Sequence, residues 1–416
     1  MEFYKKIVTV WIFLVAVETT NAGTFSDQQQ LYSDLESLMA PSIRPVINQD
    51  DKVNVTITPY IISIVDVNEK QQSLTTSIAF RISWICETIR WNSSMYGGIN
   101  VVHVEPSNIW TPDLAYMNAN GKNGVSIHAA ILKVAIYSNG FAHFLIGELL
   151  QSTCTIDITK YPFDTQVCPV IIGKLYYDDS MMMILTNSNK VSMNIYEENG
   201  EWALIDTHIE NKELDDASTN VQFTFYLKRR TLYYCLNIYL PLMLLSAMNI
   251  LSFKLPANSG ERIGYCVSLL LTFVVFLNMI SDAMPKVSLQ VSYLQLYINI
   301  QFILGIAITT LSMYLVQLSY SDDDASHFQW IKRLYKFSCC NKRKDSIAPE
   351  ISTNDDSKQE EFETNLQKEE EKVNYNNNNN HFDKITAMKF IDDVCFWIFS
   401  ALFVLTTLVC LLFMVT

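Results

Sequence analysis

Four long apolar stretches in the second half of the chain restrict its fold more than any other feature. They cover residues 232–253, 263–280, 293–316 and 392–416. An α-helix rises about 1.5 Å per residue, so each stretch can cross a hydrocarbon layer of about 30 Å. Residues 1–22 differ from these stretches, because Lys5 and Lys6 precede a short apolar run that ends near small residues. That arrangement is typical of a cleaved signal peptide.

The basic residues suggest how these stretches cross the membrane. An exported domain at 23–230, three helices within 231–317 and a fourth at 392–416 would place both termini outside the cell. The segment 318–391 then lies in the cytosol. Most of the Lys and Arg residues that follow Arg230 fall in this segment, as the positive-inside rule expects. Lys228, Arg229 and Arg230 violate this rule. Many acids and the run Asn376–Asn380 predict that 318–391 is largely disordered.

The exported domain has the pattern of a β-sandwich. Short runs such as Val53–Thr58 alternate apolar and polar residues, and turn residues separate them. We therefore predict an antiparallel β-sandwich, preceded by a helix over 27–39 that carries Leu31, Leu35 and Leu38 on one face. Asn54 and Asn92 begin sequons and are predicted glycosylation sites.

Three of the nine cysteines lie in the exported domain. Cys154 and Cys168 are the obvious disulfide pair, and such a bond stabilises a short loop by roughly 3 kcal/mol. Cys86 is the third cysteine of this domain and has no partner cysteine there, so we predict that it is a buried thiol. The loop between the paired cysteines carries Tyr161-Pro162-Phe163-Asp164 at its tip. This tip adds nothing to a core, so it is predicted to press on another part of the molecule.

One face of the second stretch is a candidate pore lining. Its members recur at intervals of three and four, which places them on one side of a helix. They are Glu261, Gly264, Ser268, Leu271, Val275, Met279 and Asp282. In a ring of several copies, the acids at both ends would concentrate cations, and Leu271 with Val275 would form a closable constriction. The alternative is a helix packed in a monomeric bundle, with acids marking its ends.

Several motifs extend this picture to a family. The chain carries Trp110-Thr111-Pro112-Asp113, Gly200-Glu201-Trp202 and the run 255–262, besides the loop from Cys154 to Cys168. In these motifs it resembles the Cys-loop, or pentameric ligand-gated, receptor family, and most closely its nicotinic branch. The resemblance implies a β-sandwich outside the membrane, four membrane helices, and a pentamer of identical or homologous subunits.

The resemblance also implies a function. It predicts a multi-pass plasma-membrane protein at the postsynaptic side, in contact with lipids, permeable to cations, and opened by a small-molecule agonist of unknown identity. In the nicotinic branch, a Glu at the position of Glu261 accompanies cation selectivity. The sequence has no nucleophile motif, phosphate loop or metal-ligand cluster, so we predict no enzyme activity, cofactor, metal or nucleic-acid partner.

Coupling residues follow from the resemblance as well. It implies that Glu69 forms a buried ion pair with Arg229, and that the tip residues Tyr161, Pro162, Phe163 and Asp164 bear on Pro285. An unpaired Arg at that depth would be costly, which favours the ion pair. The alternative is that Arg229 only belongs to the basic cluster before the first membrane helix.

The agonist site departs from the family pattern. The family's aromatic positions fall on Ala79, Met117 and Leu175, which have no ring to attract a quaternary ammonium. Tyr116, Tyr176 and Tyr177 lie beside these positions, but a shift of one residue along a strand would point them to the other face. A second hypothesis is therefore an accessory subunit of a hetero-pentamer that lacks an agonist site of its own.

Overall fold

The computed structural model describes residues 23–120, 126–127, 131–215, 218–256, 260–283, 291–320 and 363–415. Within these ranges it gives no side-chain surroundings for 213–215, 218, 282–283, 363–387 and 415. The predicted signal peptide and Pro285 lie outside the described residues, as does the part of the predicted cytosolic segment between 321 and 362. The chain forms two compact units that divide between Thr231 and Leu232.

The first unit begins with a short helix, α1 (Phe25–Glu36). Thr24 and Asp27 form a reciprocal capping box, in which each side chain accepts a hydrogen bond from the other residue's backbone N–H. Leu31 and Leu35 are buried, as predicted. The helix ends before Leu38, however, and this side chain is exposed, so the prediction of a helix to 39 was too long.

The rest of the first unit consists of two β-sheets. The larger has the strand order β3-β5-β6-β2-β1-β8 and the smaller β4-β7-β10-β9. The strands of the larger sheet are β1 (Val53–Asn68), β2 (Ser73–Ile85), β3 (Val101–Val104), β5 (Val134–Tyr137), β6 (Phe141–Thr153) and β8 (Met182–Thr186). Those of the smaller sheet are β4 (Leu114–Tyr116), β7 (Thr165–Lys174), β9 (Trp202–Asp215) and β10 (Ser218–Arg229).

The sheets form the predicted sandwich, but not all of its strand pairs are antiparallel. β1 and β8 run parallel, with Val53 opposite Met182. Buried and more exposed side chains alternate along most of β1. In the core, Phe80 of β2 meets Phe223 of β10 with 5.4 Å between ring centroids. Register shifts in β1 after Ile61 and Ile64 change which residues face inward.

The second unit contains four helices that are long and apolar enough to cross a membrane, at Leu232–Lys254, Glu261–Ser281, Tyr293–Tyr320 and Met388–Met414. We call them the first to fourth membrane helices. Ile250, Phe253, Ile308 and Leu315 form their buried core. The first helix contains a π-helical turn at Cys235–Tyr239, next to Pro241. Proline has no N–H to donate and its ring crowds the preceding turn, which explains this distortion.

The last helix extends farther than the sequence predicts. It runs from Glu363 to Val415, although we expected it to begin at 392 after a largely disordered segment. Residues 363–373 are rich in Glu, Gln and Lys, which favour helices, and they continue an apolar helix packed on its neighbours. The many acids and the run of Asn residues in this part therefore did not exclude helical structure.

Candidate functional site

The disulfide loop has the predicted bond. Cys154 follows β6, Cys168 lies in β7, and their sulfur atoms are joined. The peptide bond between Tyr161 and Pro162 is cis. Tyr161, Pro162 and Asp164 are buried in the first unit. The tip is thus anchored on its own domain through three of its four residues, and the expectation that it adds nothing to a core was wrong.

Arg229, the last residue of β10, is the centre of this anchoring. Its side chain is completely buried. Asp164 accepts two hydrogen bonds from the guanidinium, at 2.8 Å from Nε to Oδ1 and at 3.1 Å from Nη2 to Oδ2. Nη1 lies 2.7 Å from Glu69 Oε1 and 3.4 Å from Glu201 Oε1. This bidentate geometry is the strong form of an Arg–carboxylate contact.

Two aromatic rings complete the surroundings of the guanidinium. Its central carbon lies 4.2 Å from the Trp202 ring centroid and 4.8 Å from that of Tyr161. Such cation–π contacts contribute about 0.5–2 kcal/mol each, more where water is excluded. We call these residues the Arg229 cluster: Arg229, Glu69, Asp164, Glu201, Tyr161 and Trp202. The cluster joins the disulfide loop, the turn after β1 and the start of β9 to the end of β10.

Only part of this cluster could be predicted from the sequence. The family resemblance predicts the Glu69 contact. It places Asp164 at the tip of the loop, but not as the bidentate partner, and it includes Glu201 and Trp202 in a motif without a contact to Arg229. Both residues lie at the start of β9, where Trp202 pairs with Arg229 of β10, and local sequence patterns do not encode this pairing.

The candidate agonist positions lie in different surroundings. Ala79 is buried in β2 between Tyr60 and Gly147. Met117 and Leu175 are 42% and 39% exposed, so each has room for a larger side chain. Met117 packs over Gly173 of β7, where any side chain would collide with it.

The three neighbouring tyrosines do not restore the missing rings. Tyr116 faces the sandwich core, 6.0 Å from the Phe80 ring, while Met117 is exposed. Tyr176 is 80% exposed. The Tyr177 hydroxyl accepts a hydrogen bond of 3.1 Å from Trp110 Nε1. Of the three tyrosines, Tyr177 therefore contacts an aromatic ring of a family motif, that of Trp110.

A buried lysine supports the end of β7 beside Leu175, and no pattern in the sequence indicates it. The Lys174 side chain is completely buried and forms a salt bridge with Asp179. Asp179 also accepts a hydrogen bond of 2.7 Å from the Thr219 hydroxyl on β10. Burial raises the pKa of Asp179, but the bonds from Lys174 and Thr219 outweigh this effect, and its pKa falls below the usual value. The network ties the loop after β7 to β10.

Glu148 of β6 is a carboxylate whose pKa shifts in the direction opposite to that of Asp179. It lies near the Tyr116 hydroxyl, and burial raises the pKa of both groups. The structure gives Glu148 no salt bridge within the described residues. Its charged form is therefore poorly compensated, in contrast to that of Asp179.

The predicted pore stripe lies on the exposed face of the second membrane helix. Glu261, Gly264, Ser268, Leu271, Val275 and Met279 are all exposed. The buried residues of this helix lie on the opposite side, and they are Arg262, Cys266, Phe273 and Ile280. The side chain of Asp282 lies outside the described part. One subunit thus leaves the stripe uncovered and packs the reverse face against its own helices.

Three further predictions concern single side chains. Cys86 is a buried thiol, and the Trp84 indole N–H donates to its sulfur at 3.2 Å. Burial raises the pKa of Cys86 to about 12. Asn54 and Asn92 are exposed, so both remain accessible as predicted glycosylation sites.

Comparisons with known proteins agree with the division into two units. The family model "Neurotransmitter-gated ion-channel ligand binding domain" matches residues 28–231, and "Neurotransmitter-gated ion-channel transmembrane region" matches 238–384.

Similar individual proteins are receptor subunits. Acetylcholine receptor subunit beta-like 1 of Drosophila melanogaster is 31% identical over 70% of this chain and 57% of its own length. Neuronal acetylcholine receptor subunit alpha-2 of Homo sapiens is 32% identical over 70% and 55%, respectively. Subunit alpha-5 of Pan troglodytes is 31% identical over 74% and 66%. The chain thus spans little more than half the length of the first two relatives.

Proposed function

Because the chain belongs to the neurotransmitter-gated ion-channel family, we propose that it forms part of a pentameric cation channel. The chain is a nicotinic-receptor-like subunit, and it is a multi-pass membrane protein with four apolar helices. The exposed stripe of the second membrane helix carries this proposal. The stripe has a carboxylate at its start and small or polar residues in the next two turns, and these groups favour contact with water over contact with lipid. In a ring of subunits the stripe would line an aqueous path.

The stripe supports the proposed roles of its residues. Glu261 begins the second helix and would concentrate cations at the cytosolic entrance. Gly264 and Ser268 keep the next two turns small, and Ser268 donates its hydroxyl hydrogen bond to Gly264 O at 2.8 Å. Leu271, Val275 and Met279 would then form an apolar constriction that closes by dewetting. Asp282 would place a second acidic ring at the outer end.

The Arg229 cluster supports the proposed path of transmission. It connects the disulfide loop to the last residue of β10, from which the chain enters the first membrane helix. A rigid, fully buried ion pair would move as one body with the loop. We propose that Tyr161, Pro162 and Phe163 carry this motion to Pro285, which precedes the third helix.

Recording from a Glu261→Gln variant tests the proposal. Cation conductance of single channels should fall several-fold, because rings of like charge in a narrow passage raise the local counter-ion concentration by about tenfold or more. The chain is expressed alone, or with a nicotinic relative if it gives no current alone. Glu105→Gln is the matched control, since Glu105 is exposed in the first unit and pairs with exposed Lys133. Equal conductance in both variants would refute the role of Glu261.

A second candidate function is an accessory subunit without an agonist site of its own. The ring-free positions Ala79, Met117 and Leu175 favour it. Expression of the chain by itself separates the two candidates. Agonist-evoked current from a homo-pentamer would exclude an obligate accessory role, whereas current only in the presence of a second subunit would support it.

A further inference from the structure

A small cavity lies inside the second unit, between the first, third and fourth membrane helices. Its polar wall comes from Ser246 and Asn249 of the first helix and Gln301 of the third, and its apolar wall includes Phe399 and Phe403 of the fourth. None of these residues belongs to the stripe proposed to line the pore. The cavity therefore has no part in the function proposed above.

Two of the polar groups in this wall lack a partner. Within the described residues, no hydrogen bond reaches Ser246 Oγ or Asn249 Oδ1. Ser246 is 5% exposed and Asn249 is 6% exposed. Buried polar groups are almost always hydrogen-bonded, because leaving one unsatisfied in an apolar interior is costly. Both groups sit at the same cavity, so a single ligand can satisfy both.

The wall holds its polar groups in place. The Asn249 amide nitrogen packs against Gly305, and a Cβ atom there would approach it to 2.9 Å. Gln301 is fixed from the other side, since its Nε2 donates a hydrogen bond of 2.9 Å to Thr406 Oγ1. One turn away, the Tyr297 and Thr407 hydroxyls lie 3.0 Å apart. The cavity thus lies next to a row of polar contacts between the third and fourth helices.

The size of the cavity selects the ligand. Its volume is about 10 Å³. One water molecule needs about 10–15 Å³ and two to four polar partners. An alcohol, a sterol hydroxyl with its ring system or a lipid headgroup is too large. We propose that this cavity binds a single structural water, which donates to Asn249 Oδ1, bonds to the Ser246 hydroxyl, and has Gln301 as its remaining polar neighbour.

The first test is an experimental density map of the full-length chain in lipid, at a resolution that shows ordered waters. The proposal predicts one peak within hydrogen-bond distance of Ser246 Oγ and Asn249 Oδ1. A collapsed cavity, with these two atoms bonded directly to each other and no peak between them, would overturn it. This test needs no variant and does not depend on channel activity.

Thermal unfolding of purified full-length variants gives a second test. If a water bridges the two groups, Ser246→Ala removes one of its partners and should lower the melting temperature by roughly 2–6 °C. Asn249→Leu should act in the same direction, and the double variant should lose less than the sum, since both changes disrupt one water. If the groups are dry, each change removes an unsatisfied polar atom, so unchanged or higher melting temperatures would contradict the proposal.

Ser319→Ala is the matched control. Ser319 lies in the third helix, and its hydroxyl already donates to Val316 O at 2.7 Å within the same helix. The loss of this local bond should change the melting temperature by no more than about 2 °C. A control shift as large as that of Ser246→Ala would remove the evidence for a shared water.

Discussion

The Arg229 cluster and the candidate agonist positions belong to the same extracellular unit, yet they differ in almost every physical property. Arg229 is fully buried among three carboxylates and two rings. Met117 and Leu175 are about two-fifths exposed and carry neither charge nor ring. One region is a buried network of charges and rings, and the other consists of partly exposed apolar side chains.

Burial explains this difference. Removing one partner of a buried ion pair leaves an uncompensated charge, which costs about 3–5 kcal/mol. Substitutions at exposed positions usually change stability by less than about 0.5 kcal/mol. A single substitution in the cluster should therefore cost much stability, whereas substitutions at Met117 and Leu175 should cost little. The following predictions test this contrast, beginning with the largest effect.

Arg229→Gln should be the most damaging change. It leaves Asp164 buried without its cation, and we expect a loss of about 3–5 kcal/mol in the stability of the extracellular unit. Thermal unfolding of the full-length chain, together with its amount at the cell surface, measures this loss.

Arg230→Gln is the control for this variant. Arg230 is adjacent but 44% exposed, and its partner Glu198 is 77% exposed. Such a surface pair contributes about 0–1 kcal/mol. Equal losses from the two variants would show that general positive charge before the membrane matters, rather than the buried pairing.

The second prediction concerns the support of the agonist region. Asp179→Asn leaves the buried Lys174 ammonium without a carboxylate, and it should cost about 1–3 kcal/mol at pH 7. The pKa of Asp179 is lower in the folded chain, so its stabilising effect is full above the unfolded value of about 3.9 and disappears as the pH falls through the folded pKa. The difference between wild type and variant in acid unfolding should therefore shrink below about pH 4. A difference that is constant with pH would contradict the salt bridge.

The sequence predicted the sandwich and the four membrane helices because their signals are periodic and long. It predicted that Tyr116 would face away from the agonist positions if it lay on a strand, but not that residues 114–116 form strand β4, paired with β7. It also missed the Asp164 bidentate contact and the Lys174–Asp179 bridge. Contacts between side chains far apart in the chain depend on strand pairing, which local patterns do not encode.

Restoring rings at the exposed agonist positions is the third test of the contrast. Met117→Tyr with Leu175→Trp should leave stability nearly unchanged, because both sites are partly exposed. Each ring can add about 0.5–2 kcal/mol of cation–π attraction, so affinity for a quaternary ammonium should rise by roughly two- to thirty-fold per ring. Binding of a choline ester to the assembled receptor measures the gain. Ring substitutions that do not alter binding would show that these positions do not face the ligand.

Glu148→Gln should give the smallest effect, and its sign is opposite to that of Arg229→Gln. Burial raises the pKa of Glu148, against the smaller opposite effect of the Tyr116 hydroxyl, so the charged form is disfavoured in the folded chain. Its stability contribution is greatest below the unfolded pKa of about 4.3 and declines as the pH rises through the folded pKa. The variant should therefore be more stable than wild type at pH 7, by less than about 1 kcal/mol because the site is partly screened by solvent. The two unfolding curves should converge in acid, since wild-type Glu148 is then neutral as well. A variant that is less stable at pH 7 would mean that the carboxylate has a favourable partner. The difference between the Glu148 site and the Arg229 cluster would then be smaller than burial alone implies.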